Sequence, residues 1–350
     1  MSSKAKKRSL EQPPCVLPSL PQDIIDDIVA HVPRWYYPKL SLVSKHFRSL
    51  VASPEIYARR SLLGCKENCL YVLLHNEETH KRRWYILRKN SNGIRSLVLI
   101  PSLSAMPFFG SFVALGSSIY VFGGIDSDNM TTKVLRIDCR SHMVQTLPSI
   151  PIRVVNTYAD IIDGKIYVIG RHFQDYTTVI FVFSTETQVW QLCLENLSHR
   201  CYCVVVMGDK IYMSDSHNSF VYDPKENKLE RDEILNINNW QNACVLDDVL
   251  HYYDCSEEKI SRYDPNRRCW RVVDGLEELL AVTRCSEWSN IVTYNGKLLL
   301  FFGKGNTSEV WCAGISLERR QGGEIWGQVE WREHLVTGRL LLDKSLAVMV

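Results

Sequence analysis

The 350-residue sequence predicts a mainly β protein, a six-bladed β-propeller preceded by a small all-α domain, and three observations carry that reading. A short apolar phrase recurs, each copy introduced by a turn. Its copies are spaced 39 to 49 residues apart, and a helical apolar pattern is confined to the first 64 residues. Short strands repeating every ~40–50 residues are the signature of propeller blades.

The clearest copies are Ser117–Gly124 (SSIYVFGG) and Asp163–Gly170 (DGKIYVIG), with weaker ones at Gly208–Met213, Asp247–Tyr252 and Asn295–Leu300. Their first apolar residues, Ile119, Ile166, Ile211, Leu250 and Leu298, are 47, 45, 39 and 48 residues apart. Counting back by the same interval finds a sixth copy at Cys69–Leu74, with Leu70 lying 49 residues before Ile119.

Each repeat reads as four strands. In the second they are Phe112–Leu115, Ile119–Phe122, Val134–Ile137 and Gln145–Leu147. Asp163-Gly164 and Asn295-Gly296 favour the left-handed residues of a tight hairpin, so the first two strands of a repeat pair antiparallel. Asp223-Pro224 and Asp264-Pro265 mark the turn before the fourth strand, since Asp bonds its own backbone and Pro presets φ. The first repeat takes Trp84–Leu87 and Leu97–Ile100 as its third and fourth strands but lacks a first. The C-terminal Leu346–Val350 is a strand without a repeat behind it. Residues 345–350 are therefore expected to complete the first blade and close the ring, removing its edges.

Ahead of this lies a helical segment, residues 17–64. Ser19 and Gln22 fit a capping box, with Pro21 in the first turn. Leu20, Ile24 and Ile28, with Ile25, Val29 and Val32, form one broad apolar face. Arg34–Pro38 ends this helix. Pro38 opens a second with Leu40, Val43, Phe47 and Leu50 or Val51 in a stripe, Ser53-Pro54-Glu55 starts a third, and Gly64 stops it. So few residues cannot bury that much apolar surface alone. Some of it is expected to meet a partner.

Composition narrows the class. An apolar fraction of 45% and a charged fraction of 23% describe a folded chain, and the apolar runs are strand-sized rather than membrane-spanning. Residues 1–60 carry a net charge of +5 and the remainder −3, too little for nucleic-acid binding on charge alone. The cluster Lys4, Lys6, Lys7, Arg8 has no apolar run after it, so it is not a secretory signal. Residues 1–16 read as a disordered basic tail, since no second cluster supports a nuclear signal. The twelve cysteines are scattered without metal-ligand spacing and read as reduced core thiols, as in the cytoplasm or nucleus.

The repeats resemble kelch motifs: Gly123-Gly124 stands where kelch blades carry a glycine pair, and Tyr263 with Trp270, or Phe183 with Trp190, matches the aromatic spacing. In other copies the pair is replaced by Gly170-Arg171, Ser214-Asp215 and Tyr253-Asp254. The helical segment resembles an F-box through Leu20–Ile25 and Leu40–Leu50. With Tyr36–Ser44, Ser53–Tyr57 and Arg60–Gly64, the chain is similar to the plant F-box/kelch-repeat proteins.

That resemblance implies a substrate receptor of a cullin-RING ubiquitin ligase. The F-box would dock on a Skp-type adaptor through Leu20, Pro21, Ile24, Ile28, Leu42, Val43, Ser44 and Phe47. The propeller would present a target protein. Ten residues before each strand phrase stand Phe109, Asn156, Cys201, Trp240 and Trp288, and His172 and His217 lie in loops after the second strands; these seven form the expected target site. The alternative for the tryptophans is packing between blades. No phosphate loop, metal-ligand spacing or nucleophile elbow supports an enzyme, and no cofactor, nucleic-acid or membrane partner is expected. The rival readings are a propeller scaffold acting without ubiquitination and, behind it, a propeller enzyme.

Overall fold

A computed structural model describes residues 20–90, 92–126, 129–197, 201–215, 217–283, 286, 288–304 and 308–350. The basic tail, Leu17 and the expected capping residue Ser19 lie outside them. The chain divides into two compact units between Lys66 and Glu67.

The first unit is helical: α1 (Gln22–His31), α2 (Tyr37–Val43), α3 (Lys45–Ala52) and α4 (Pro54–Leu62). Pro21 stands just before α1, where its carbonyl accepts the amides of Ile24 and Ile25, and a 3-10 turn at Arg34–Tyr36 leads into α2. The second helix expected from the sequence is in fact two. Ser44 is extended, and its hydroxyl accepts the Phe47 amide at 3.1 Å, so it caps a new helix rather than continuing the old one. Ser53 repeats the device for α4 by accepting the Ile56 amide.

The second unit is built of antiparallel sheets. In chain order it contains β1 (Asn68–Asn76), β2 (Lys81–Lys89), β3 (Arg95–Leu99), β4 (Ser111–Leu115), β5 (Ser118–Phe122), the small hairpin β6 (Ile125–Asp126) and β7 (Asn129–Met130), then β8 (Val134–Asp138) and β9 (Met143–Leu147). There follow β10 (Val154–Ile162), β11 (Lys165–His172), β12 (Thr178–Phe183), β13 (Trp190–Leu197), β14 (Cys203–Met207), β15 (Lys210–Ser214), β16 (Ser219–Asp223) and β17 (Lys228–Arg231). The rest comprises β18 (Cys244–Leu246), β19 (Val249–Asp254), β20 (Lys259–Asp264), β21 (Cys269–Asp274), a helix α5 (Glu277–Thr283), β22 (Ser289–Tyr294), β23 (Lys297–Gly303), β24 (Glu309–Arg319), β25 (Ile325–Thr337) and β26 (Leu340–Met349).

Four sheets have four strands each, in the orders β26-β1-β2-β3, β4-β5-β8-β9, β10-β11-β12-β13 and β14-β15-β16-β17. Where the sequence suggests two further separate sheets, the eight strands β18 to β25 form one, in the order β18-β19-β20-β21-β25-β24-β23-β22. Its halves repeat the same antiparallel order. Their strands pair where Val273 and Asp274 lie parallel to Ile325 and Trp326. Gly275 permits that approach: its φ is +79°, and a Cβ there would lie 2.2 Å from the Trp326 indole.

The hairpin turns adopt the geometry their residues favour, with φ positive at both Asp163 and Gly164 and at both Asn295 and Gly296. The second strands are almost wholly buried, as in β5 and Tyr71–Leu74 of β1, because each is covered on both faces. The C-terminal strand is longer than the sequence suggests. It pairs with β1 from Asn68↔Met349 to Asn76↔Leu340, with one bulge at Leu73/Leu74.

Edge strands touch from one sheet to the next: β26 with β4, β4 with β10, β10 with β14, β14 with β18, β18 with β22, and β22 again with β26. The Asp160 carboxylate on β10 reaches across one such seam and accepts the Val206 amide of β14 at 3.1 Å. The side chains between sheets supply the core, for example Phe122, Ile166, Phe181 and Phe183 between the second and third. Tyr263 and Phe183 lie directly opposite Trp270 and Trp190 on neighbouring strands, with ring centroids 5.2 and 4.8 Å apart. The aromatic spacing read from the sequence is therefore a cross-strand stack.

Candidate functional site

The helical unit presents an apolar face. The broad stripe expected on α1 is split in two: Val29 is buried and Ile25 half-buried, while Leu20, just before the helix, and Ile24 and Ile28 are exposed. Leu42 and Val43 at the end of α2 are 78% and 67% exposed, Pro21 and Ser44 are exposed, and Phe47 is half-buried. All eight expected adaptor residues thus lie outside the fully buried core. Ser44 has a structural duty as well, capping α3.

A buried arginine that the sequence reading overlooked holds this face in place. Arg60 on α4 is 1% exposed, and its guanidinium donates to the carbonyls of Ala30 (2.8 Å), Val32 (2.9 Å) and Cys65 (2.6 Å) and to the Tyr37 hydroxyl (3.2 Å). The end of α1, the start of α2 and the chain after α4 therefore share one cation, which takes up backbone carbonyls left unpaired at a helix terminus. Asp27 pairs with Arg59 nearby, and the guanidinium hydrogen bond holds this carboxyl below the usual range.

In the second unit the start of each first strand lies beside the end of the second, as Ser111↔Phe122, Val154↔His172, Cys203↔Ser214 and Ser289↔Phe302 show. The connections that enter first strands and leave second strands therefore share one end of the sheets. Neighbouring sheets are tied there: Thr157 Oγ1 donates to the carbonyls of Phe122 (3.1 Å) and Phe109 (3.3 Å), and the Tyr158 hydroxyl donates to the Tyr202 carbonyl at 2.8 Å. Gly124 makes this possible in the second sheet, because a Cβ there would lie 2.6 Å from the Phe108 carbonyl oxygen.

The expected target residues divide at this end. Phe109 is 60% exposed with φ +55°, Asn156 sits half-buried in a β-bulge with φ +50°, and His217 is exposed. His172 is half-buried, with its Nδ1 3.0 Å from the Asp175 carboxylate. That carboxylate also accepts from the Thr177 amide and hydroxyl, and with the Thr177 amide as the main cause its pKa falls to about 2.

Two of the seven are corrected by the structure. Trp240 is fully buried, with its indole nitrogen donating to Ser219 Oγ at 3.0 Å and its rings packed with Leu235, Tyr252 and Tyr263. Cys201 is buried too; its sulfur is 3.8 Å from that of Met213, and burial pushes the thiol up to about 12. Equal offset in sequence does not give equal position, because Trp240 stands four residues before β18 and Asn156 already lies within β10. Trp288 falls between these cases. It is half-buried and packs edge-close on Gly303, where a Cβ would lie 2.6 Å from its Nε1.

Among the described residues, the exposed aromatics at this end are the expected Phe109 together with Phe173, Tyr176 (54% exposed) and Tyr202. Phe173 and Tyr202 each adjoin a residue selected from the sequence, His172 and Cys201. Both lie in connections just outside β14 and β11, where no strand alternation marks which side chain is exposed. No group of three or more His, Cys, Asp or Glu fit to hold a metal is found among the described residues, and no disulfide joins the described cysteines.

A helical unit with exposed apolar residues on α1 and α2, followed by repeated antiparallel sheets with a common loop end, describes a two-unit protein of helices and repeats. The comparisons give it a family. The model for the F-box domain matches residues 17–59, and that described as FKB95, Kelch-repeats domain matches residues 71–336. The Arabidopsis thaliana F-box/kelch-repeat protein At4g38940 is 44% identical over 99% of this chain and 98% of its own. A second from the same plant, At4g39240, is 38% identical over 91% and 86%. The solved structure titled "Structure of YjhT" is 14% identical and covers 70% of this chain and 91% of its own at TM-score 0.49, too low to bear on the number of sheets. The chain belongs to the plant F-box/kelch-repeat family.

Proposed function

We propose that this protein is the substrate-recognition subunit of a Skp-cullin-F-box ubiquitin ligase. In this reading the F-box engages a Skp-type adaptor, and through it a cullin-RING assembly, while the kelch unit holds a target protein. The observation that carries it is the apolar face of the helical unit: Leu20, Ile24, Ile28, Leu42 and Val43 stay exposed in a domain with little apolar surface to spare. Helices presenting such a stripe to a partner's groove are a standard recognition mode. The role is non-catalytic, the protein contributing binding alone.

The kelch unit is read as a six-bladed ring closed by the C-terminal strand. The cyclic contact of the edge strands, returning from β22 to β26, supports six, with the two halves of the eight-stranded sheet counted as blades. Residues 17–64 and 65–350 are then the two domains. The absence of disulfides among the described cysteines favours the cytoplasm or nucleus.

Co-purification with a Skp-type adaptor tests the reading. Wild type is expected to bring the adaptor down, and the combined Leu20→Ala and Pro21→Ala variant to lose it while melting unchanged. Failure of the wild type to bind, or capture unaffected by the substitutions, overturns the proposal in favour of a scaffold acting without ubiquitination.

A further inference from the structure

The two halves of the eight-stranded sheet gather arginines at one end. The β20–β21 and β24–β25 turns with their flanking residues, 262–271 and 318–324, hold Arg262, Arg267, Arg268, Arg271, Arg319 and Arg320. Because β20 and β24 start beside the ends of β19 and β23, these turns lie at the opposite end of the sheets from the loop end. Arg262 and Arg271 stand directly opposite each other on β20 and β21. Both donate to the Gly323 carbonyl, Arg262 Nη2 at 3.0 Å and Arg271 Nη1 at 3.1 Å. Arg267 joins them there, since a Cβ on Gly323 would lie 3.3 Å from Arg271 Nη1 and 3.5 Å from Arg267 Nη1.

Arg262 is the member that needs an explanation. It is 8% exposed, and its Nε meets no acceptor among the described residues. Burial pulls its pKa below the usual arginine range, and the charges of Arg271 and Arg319 act in the same sense. The carboxylates around it are engaged elsewhere or stand apart. Asp264 accepts the amides of Asn266 (3.0 Å) and Arg267 (3.1 Å) and lies 3.7 Å from Arg267 Nε. Arg268 is taken by Asp232 at 3.2 Å, and Glu318 lies 4.0 Å from Arg320. In the adjoining turns Asp248 accepts the Gly208 amide at 2.9 Å, Glu330 pairs with Lys297, and Asp247 and Glu324 are exposed. Among the described residues, Arg262, Arg271 and Arg319 pair with no carboxylate. A buried cation without an anion beside it is costly.

We propose that Arg267, Arg271 and Arg319 hold a phosphate-monoester dianion over the buried Arg262 charge. All three are exposed, so a ligand reaches them from solvent, while Arg262 acts from beneath by its charge. A guanidinium fork pairs with two phosphate oxygens at once, and a phosphoryl group brings about two negative charges and three acceptor oxygens to be shared among several forks. A single carboxylate satisfies one fork and leaves the others unmatched. The site stands at the end of the sheets opposite the expected target residues, and it holds whether or not the helical unit engages an adaptor.

The full-length chain is titrated calorimetrically, at fixed ionic strength, with inorganic phosphate, with a glycine pentapeptide carrying phosphoserine at its centre, and with acetate. Saturable binding of phosphate is expected, and none of acetate. Arg267→Gln with Arg319→Gln leaves both bonds to Gly323 in place, and it is expected to weaken phosphate binding at least about tenfold while melting as wild type does. Arg271→Gln, measured separately, is expected to weaken it as well. Lys133→Gln with Arg153→Gln removes the same amount of positive charge at the loop end and is expected to leave affinity unchanged. Tighter binding of the phosphopeptide than of phosphate assigns the dianion to a modified protein, and equal or weaker binding assigns it to a small free phosphate; either result supports the site. Acetate binding as well as phosphate, no saturable binding by either phosphate probe, full affinity in the Arg267 and Arg319 variant, or an equal loss in the loop-end variant overturns the proposal.

Discussion

Arg95 and Glu333, 238 residues apart, are joined twice: the Arg95 amide donates to Glu333 Oε2 at 2.6 Å and its guanidinium to Oε1 at 2.8 Å. The same guanidinium lies 4.0 Å from the Trp331 ring centroid. This fastens β3, the edge strand of the first sheet, to β25 of the eight-stranded sheet, while β26 and β1 join the beginning and end of the second unit.

Both side chains of that latch are about four-fifths buried, so its loss should be felt more than that of a surface ion pair. Glu333→Ala leaves the Arg95 amide and guanidinium without this acceptor. A cost of about 1–3 kcal/mol is expected. A double-mutant cycle with Arg95→Ala, followed by urea denaturation, measures it; additive single effects would show that the two residues are not coupled.

The closure through β26 and β1 is the larger effect. Removing residues 345–350 takes away Val348 and Val350, both buried, and the pairing of Ser345–Met349 with Asn68–Val72. Each buried valine contributes about 1.5–3 kcal/mol, and the truncation also bares the edge of β1. The melting temperature should fall by about five to ten degrees, roughly what a loss of several kcal/mol produces in a domain of this size. A melting curve unchanged by the truncation would show that β26 does not close the unit.

Much of this was legible in the sequence because strand phrases and tight turns are local. Asp163-Gly164 and Asn295-Gly296 needed only their own backbone preferences, and the spacing from Ile119 back to Leu70 needed only counting. What was not legible depended on distant partners. The break at Ser44 competes with a continuous apolar stripe and wins through one side-chain cap. Arg60 gives no sequence sign of being buried, since its partners are backbone carbonyls 5 to 30 residues away. The helix α5 hides in a loop-length connection, although Leu276, Leu279 and Leu280 have helical spacing and are buried together.

Trp240 separates core from site. Because its indole is fully buried and bonded to Ser219, Trp240→Ala should cost about 3–5 kcal/mol, the range for emptying a large core position. Phe109→Ala removes an exposed ring and should leave the melt within error. Equal melts for the two variants in differential scanning calorimetry would place Trp240 outside the core.

His251 on β19 should make stability depend on pH. The residue is 3% exposed, its Nδ1 donates to the Val249 carbonyl at 3.0 Å, and on the neighbouring strand it faces the buried Arg262. Burial, with the Arg262 charge adding to it, lowers its pKa to about 4. The unfolded chain takes up a proton on this ring below about pH 6.5, while the folded chain resists until about pH 4. Protons therefore favour the unfolded state across that window. The contribution is complete above pH 6.5 and is lost as the pH falls to about 4, reaching about 3 kcal/mol. In His251→Gln the ring no longer titrates. The difference in unfolding free energy between wild type and variant, measured by denaturant titration at pH 7, 6, 5 and 4, should shift steadily against wild type as the pH falls. A difference that stays flat across those values would mean that His251 ionises equally in both states.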